Sequence, residues 1–115
     1  MREDEISAAK ALRLWHGVCI DLVLDDARDL TLRQMTILLT VYLEPPPHTV
    51  RGLAARLDVT KPVITRALDS MGRLGLVKRR RDPDDRRNVI ISRTVDGALY
   101  LEKLADLVMT KSGQI

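Results

Sequence analysis

Lys61, Thr65 and Arg66 place two cations and a hydroxyl within six residues of a stretch with helical character. Residues three to five positions apart share one broad side of a helix. A helix with such a front fits the major groove of double-stranded DNA and can read base edges there. Arg66 is the strongest candidate for a guanine, because one guanidinium can donate to O6 and N7 together. Thr65 suits a base edge or a phosphate equally. The plain alternative for Arg66 is a surface ion pair with Asp58 or Asp69.

Downstream the chain turns strongly basic: Lys78-Arg79-Arg80-Arg81, then Asp82-Pro83-Asp84-Asp85, then Arg86-Arg87. Alternation along a strand sends Arg79 and Arg81 to one face and Lys78 and Arg80 to the other. With both faces basic, at least one set serves phosphates and not bases. Arg86 and Arg87 sit past the turn and suit a narrow minor groove, which attracts arginine. Asp85 is placed to orient Arg87. Solvated arginines with no partner are the plain alternative.

These residues need a scaffold, and the patterning supplies one. Ile6 to Leu24 reads as a helix that Ser7 can cap. Its apolar stripe (Ala8, Ala11, Leu12, Trp15, Val18, Cys19, Leu22, Val23) is broad enough to meet two surfaces. Asp25 to Asp29 forms a polar loop. Thr31 and Gln34 have the spacing of a capping box for a second helix with Ile37, Leu38, Val41, Tyr42 and Leu43 on its apolar side. Pro45, Pro46 and Pro47 stop it, and His48 and Thr49 lead into a third helix, Val50 to Leu57, with Leu53, Ala54 and Leu57 inward.

After the turn Leu57-Asp58-Val59-Thr60, Thr60 caps a fourth helix reaching Leu74. Pro62 stands in its first turn, and Ile64, Leu68 and Met71 share its inner face. Gly75 ends it. Residues 76–81 and 87–92 read as two strands around the Asp-Pro-Asp-Asp turn. Thr94 caps a last helix, Val95 to Thr110, with Ala98, Leu99, Leu101, Leu104, Ala105 and Val108 apolar, and Lys-Ser-Gly-Gln-Ile as a fraying tail. The expected fold is mainly α with a small β-hairpin wing, in the order α-α-α-α-β-β-α: a winged helix-turn-helix. One domain spans 1–115, with a DNA-binding lobe at 31–93 between terminal helices at 6–24 and 95–111. Leu12, Trp15, Cys19, Leu101, Leu104 and Val108 are the candidate homodimer surface.

Charge distribution agrees with that division. Thr49 to Arg93 holds 12 of the 19 Lys/Arg but only 5 of the 16 Asp/Glu, a basic face on an otherwise acidic body. Aromatics make up 3% and Phe is absent, so the core is aliphatic, and small aliphatic cores are often supplemented by oligomerisation. A single cysteine excludes an internal disulfide and a cysteine-based zinc cluster. Cys19 lies mid-helix with no neighbouring cation to activate it, and reads as a buried structural thiol. His16 and His48 lack a ligand cluster, and Asp82, Asp84 and Asp85 read as turn formers, so no metal or cofactor is expected. No nucleophile–base pair or phosphate-binding glycine loop points to catalysis. With no long apolar run and an acidic start, a cytoplasmic protein without a membrane partner is expected.

The stretches L-T-L-R-Q-M-T-I-L (30–38), G-L-A-A-R-L-D-V-T (52–60), V-I-T-R-A-L-D-S-M-G-R-L-G-L-V-K-R (63–79) and D-P-D-D-R-R-N-V-I-I-S-R-T-V-D-G (82–97) resemble the MarR family of dimeric winged-helix transcriptional regulators. The resemblance covers about two thirds of the chain, and its most specific part is the wing, where Asp85, Arg87, Thr94 and Gly97 take the family positions. It implies a fourth helix in the major groove, Arg87 in the adjacent minor groove, and terminal helices that interlock two subunits. It also implies double-stranded DNA, a pseudo-palindromic operator, as partner and repression as the mode of action. Arg93 departs from the family, which usually has leucine there, and implies a more exposed junction with the last helix. One C-terminal helix follows where the family commonly has two, which argues against the usual ligand pocket. The sequence identifies no small-molecule effector. A winged helix serving as a protein-interaction or adaptor module is the alternative, and it would not need this concentration of arginine.

Overall fold

The computed structural model describes residues 7–25 and 29–115. In order, the elements are α1 (Ala8–Leu24), α2 (Leu32–Leu43), β1 (His48–Thr49), α3 (Val50–Leu57), α4 (Lys61–Arg73), β2 (Val77–Arg81), β3 (Val89–Arg93) and α5 (Val95–Gln114). The mainly helical, winged architecture expected from the sequence is present, with one strand more than expected. Ile6, the expected start of the first helix, and residues 26–28 of the polar loop lie outside the described residues.

Helix starts follow local capping chemistry. The Ser7 Oγ accepts the Lys10 amide at 3.2 Å. At α2 the capping box is complete: Gln34 N donates to Thr31 Oγ1 at 3.1 Å, and Thr31 N donates to Gln34 Oε1 at 2.8 Å. Thr49 caps α3 by accepting the Gly52 amide at 2.9 Å, and Thr94 caps α5 by accepting the Gly97 amide at 2.9 Å. Thr60 corrects the expectation. It holds the N-cap position of α4 in an extended conformation, but its side chain makes no capping bond. Its carbonyl instead accepts the Val63 and Ile64 amides, with Pro62 needing no donor in the first turn. Gly75 leaves α4 at φ +76°, a left-handed conformation that favours glycine.

The chain divides into two compact units. One runs Leu30–Tyr100; the other comprises α1 and α5 from Leu101 onward. In the first, three helices pack on a three-stranded antiparallel sheet of order β1-β3-β2. Its core takes Met35, Ile37, Leu38 and Val41 from α2, Leu53 and Ala54 from α3, Ile64, Ala67, Leu68 and Met71 from α4, Leu76 from the connection that follows, and Val77 and Ile91 from the sheet. The expected inner face of the fourth helix (Ile64, Leu68, Met71) is fully buried. Tyr100, also buried, joins from the start of α5.

The observed elements depart from the expected ones chiefly in β1, in the start of β3 and in the end of α5. β1, two residues long, pairs with β3 at His48↔Ile91 and Thr49↔Ile90; two residues carry no alternation, so only the free edge of β3 reveals them as a strand. β3 begins at Val89, opposite Arg81, and runs to Arg93, opposite Val77. It cannot begin at Arg87, because the Arg87 and Asn88 amides are committed to Asp85. The expected fraying tail is helical to Gln114. Within the second unit, Lys111 pairs with Asp21 at 3.4 Å, and its stem lies against Gly17.

Candidate nucleic-acid interface

α4 is amphipathic because its apolar residues recur at three and four. With Ile64, Leu68 and Met71 fully inward, Lys61, Thr65 and Arg66 are left on the exposed side. Among the described residues, none of these three side chains has a hydrogen-bond or ion-pair partner. The alternative ion pair of Arg66 is not formed: Asp69 is taken by Arg79 of β2, Nη2 to Oδ1 at 2.7 Å. That bridge ties the front of α4 to the wing.

The wing is built by its own acidic turn. Asp82 N donates to Asn88 O at 3.0 Å, Asn88 N donates to Asp85 O at 2.9 Å, and Asp84 N donates to Asp82 Oδ1 at 2.9 Å. Asp85 then grips Arg87 in three places. Oδ1 accepts the Arg87 amide and Nε, both at 3.1 Å, and Oδ2 accepts Nη2 at 3.3 Å. The Arg87 side chain remains 80% exposed. Asp85 and Arg87, two residues apart, are thus in direct contact through backbone and side chain. The side-chain bond from Arg87 and then its backbone bond hold the Asp85 carboxyl below the usual range; burial opposes them, and the nearby charge of Arg51 adds the least.

The predicted basic residues separate into two groups. Arg79 is bound to Asp69, and Arg81 Nη1 donates to Arg86 O at 2.8 Å. Lys78, Arg80 and the Arg86 side chain are exposed and have no partner among the described residues. Sequence reasoning missed two further cations. Arg51, exposed on the first turn of α3, is close enough to act on Asp85; it was visible only as one more charge in a basic segment. Arg33, on the first turn of α2, lines an open cleft of about 260 Å³ together with Arg66, Gln34, Val63 and Ser70. A similar cleft, about 270 Å³, lies beside Pro45, Pro47, His48 and Arg56, where Arg56 pairs with Glu44 at 2.8 Å.

Among the candidate dimer residues, Leu12 is 70% and Trp15 53% exposed, Val108 is exposed, and Leu101 and Leu104 are half-buried. Cys19 is half-buried, which corrects the expected enclosed thiol: Val18 is the one fully buried residue of α1. Among the described residues no group of three or more His, Cys, Asp or Glu is placed to hold a metal ion, and no helix is long and apolar enough to cross a membrane.

A capped helix-turn-helix followed by a basic antiparallel hairpin defines a winged helix. The model of the MarR family matches residues 28–88. A Bacillus subtilis (strain 168) protein named organic hydroperoxide resistance transcriptional regulator is 35% identical over 88 residues, 76% of this chain but 59% of that protein. A mutant MarR from E. coli complexed with operator DNA superposes with a TM-score of 0.67 at 27% identity, covering 92% of this chain and 70% of the other. Overoxidized AbfR bound to DNA gives 0.68 at 26% identity, covering 90% and 74%. The chain belongs to the MarR family.

Proposed function

We propose that the chain is a sequence-specific, double-stranded DNA-binding transcriptional regulator that represses as a cytoplasmic homodimer. α4 enters the major groove, where Arg66 takes a guanine edge and Lys61 and Thr65 contact bases or phosphates. Arg87 enters the minor groove beside it, with Arg86 next to it. Lys78, Arg79 and Arg81 meet phosphates, the last two from side chains already anchored. The observation that carries this reading is the Asp85–Arg87 fork: an exposed guanidinium is held in one orientation before any ligand arrives, which lowers the ordering cost of binding. The solved relatives in complex with DNA support it. Dimerisation uses the exposed apolar residues of α1 and α5, Leu12, Trp15 and Val108, together with the half-buried Cys19, Leu101 and Leu104. Two copies then present their α4 helices about 34–36 Å apart, one turn of DNA.

Selection of bound duplexes from a random library, followed by binding titrations at several salt concentrations, tests the proposal. The expected result is an enriched pseudo-palindrome whose affinity falls steeply with salt. Arg66→Ala then weakens the selected duplex more than a random one, by about 1–3 kcal/mol. No enrichment and no salt-dependent binding would move the protein to the adaptor class.

A further inference from the structure

The roots of the wing are fastened to one end of α2 by two side chains outside the hairpin turn. Where β2 begins, the Tyr42 hydroxyl donates to Leu76 O at 2.8 Å and accepts the Thr94 amide at 2.9 Å. The Thr94 hydroxyl donates to Gly75 O at 2.7 Å. Gly97 lets this cluster close, since a Cβ there would overlap the Tyr42 hydroxyl and the Leu76 carbonyl. Where β3 ends, Arg93 turns back onto α2: Nε donates to Val41 O at 2.9 Å and Nη2 to Glu44 O at 3.1 Å. These are carbonyls at the C-terminal end of α2, where a helix leaves acceptors unfilled and favours a cation. The guanidinium lies 5.9 Å from the centre of the Tyr42 ring.

We infer that Arg93 and Tyr42 form a clamp that sets the angle of the wing, and so act as positioning residues for Arg87 at the minor groove. The inference rests on the DNA-binding reading above. At about 3.3 Å per residue, a five-residue strand puts the tip roughly 16 Å from its root, and a tilt on the order of 10° moves that tip by roughly 3 Å. Asp85 fixes Arg87 within the turn; it does not fix the turn relative to α4. Arg79–Asp69 restrains β2, and the β1 pairing restrains β3 at Ile90 and Ile91. The clamp restrains both strands where they leave the sheet. Arg93 is charged and solvent-exposed, and as the last residue of β3 it contributes no side chain to the core. Its two bonds hold helix α2 to the wing.

The test is a pair of double-mutant cycles on the selected duplex at fixed salt, read as the dissociation constant of the active fraction. Arg93→Leu weakens binding several-fold. In combination with Arg87→Ala it adds less than its own factor, because a misplaced Arg87 has already lost its contact. In combination with Arg66→Ala the two factors multiply. Arg93→Lys restores part of the affinity. Tyr42→Phe, which deletes only a hydroxyl, goes through the same cycles and keeps the test open should Arg93→Leu not fold. Factors that multiply with Arg87→Ala as fully as with Arg66→Ala, or unchanged affinity in both variants, overturn the clamp while the DNA-binding reading stands. A wild-type chain that binds no duplex overturns both.

Discussion

The two compact units differ in what they bury. In the Leu30–Tyr100 unit every helix and strand except the two-residue β1 contributes a buried apolar side chain, and seven apolar residues of the unit show no exposed surface: Ile37, Leu38, Val41, Ile64, Leu68, Met71 and, between α4 and β2, Leu76. In the unit made by α1 and the C-terminal part of α5, Val18 alone among the described residues is buried, while Leu12, Trp15, Ile20, Val23, Leu24, Val108 and Met109 stand exposed. Apolar content does not separate the two regions. The first has internal partners for most of its apolar side chains, Leu32, Leu43, Val95 and Leu99 being exposed, whereas the second leaves most of its own exposed. Patches of this kind mark association surfaces, which is why the terminal helices carry the proposed dimer and the lobe carries the proposed DNA contacts.

The contrast breaks most sharply at core positions. Leu68→Ala removes a fully buried side chain and is expected to cost about 2–5 kcal/mol in denaturant unfolding. Leu12→Ala, at an exposed site, should stay within about 0.5 kcal/mol for the isolated chain. Equal losses would erase the distinction between the units. Next in size is the association surface. Trp15→Asp is expected to raise the dimer dissociation constant about 30-fold, roughly 2 kcal/mol, in sedimentation runs, with the lobe still folded; an unchanged constant would remove Trp15 from the interface.

Smaller effects lie at the wing. Arg87→Ala should weaken binding to AT-flanked duplexes about tenfold, near 1.4 kcal/mol, with less loss on GC-rich flanks; an equal loss on both would assign Arg87 to phosphates. Asp85→Asn is the mildest change. It leaves Arg87 in place but loosens it, for a loss of about threefold, in keeping with the modest worth of exposed ion pairs. Because Asp85 titrates below its ordinary value, the fork is intact above that range and is lost only as pH falls through the depressed pKa. Titrations between about pH 6 and 8 should therefore show no change traceable to Asp85, and a loss confined to that interval would implicate another group.

Much of this molecule was legible in the residues themselves because the signals are local. The Thr31–Gln34 box, the Pro45–Pro47 stop, the Gly75 exit and the Ile64-Leu68-Met71 face each depend on neighbours within a turn or two, and each appears where expected. The Asp85–Arg87 fork is equally local, two residues apart. What lay beyond the sequence is long-range. β1 exists because β3 offers an edge 41 positions on at Thr49↔Ile90 and 43 positions on at His48↔Ile91; no pattern within two residues announces it. Strand alternation places Arg79 and Arg81 on one face but does not reveal that Asp69, ten residues earlier on α4, and the Arg86 carbonyl, across the turn, take them up.

Arg93 shows the division most clearly. As a residue type it read as a departure that leaves a junction exposed. It is exposed, and its guanidinium also reaches α2 carbonyls 49 and 52 residues earlier. Sequence alone determined the helices, the wing turn and the charge they carry, because those follow from torsional preference, capping and alternation over a few residues. Only the tertiary structure decided which cations are committed and which are free, because that depends on distances between segments that the chain brings together by burying Ile37, Leu68 and their neighbours.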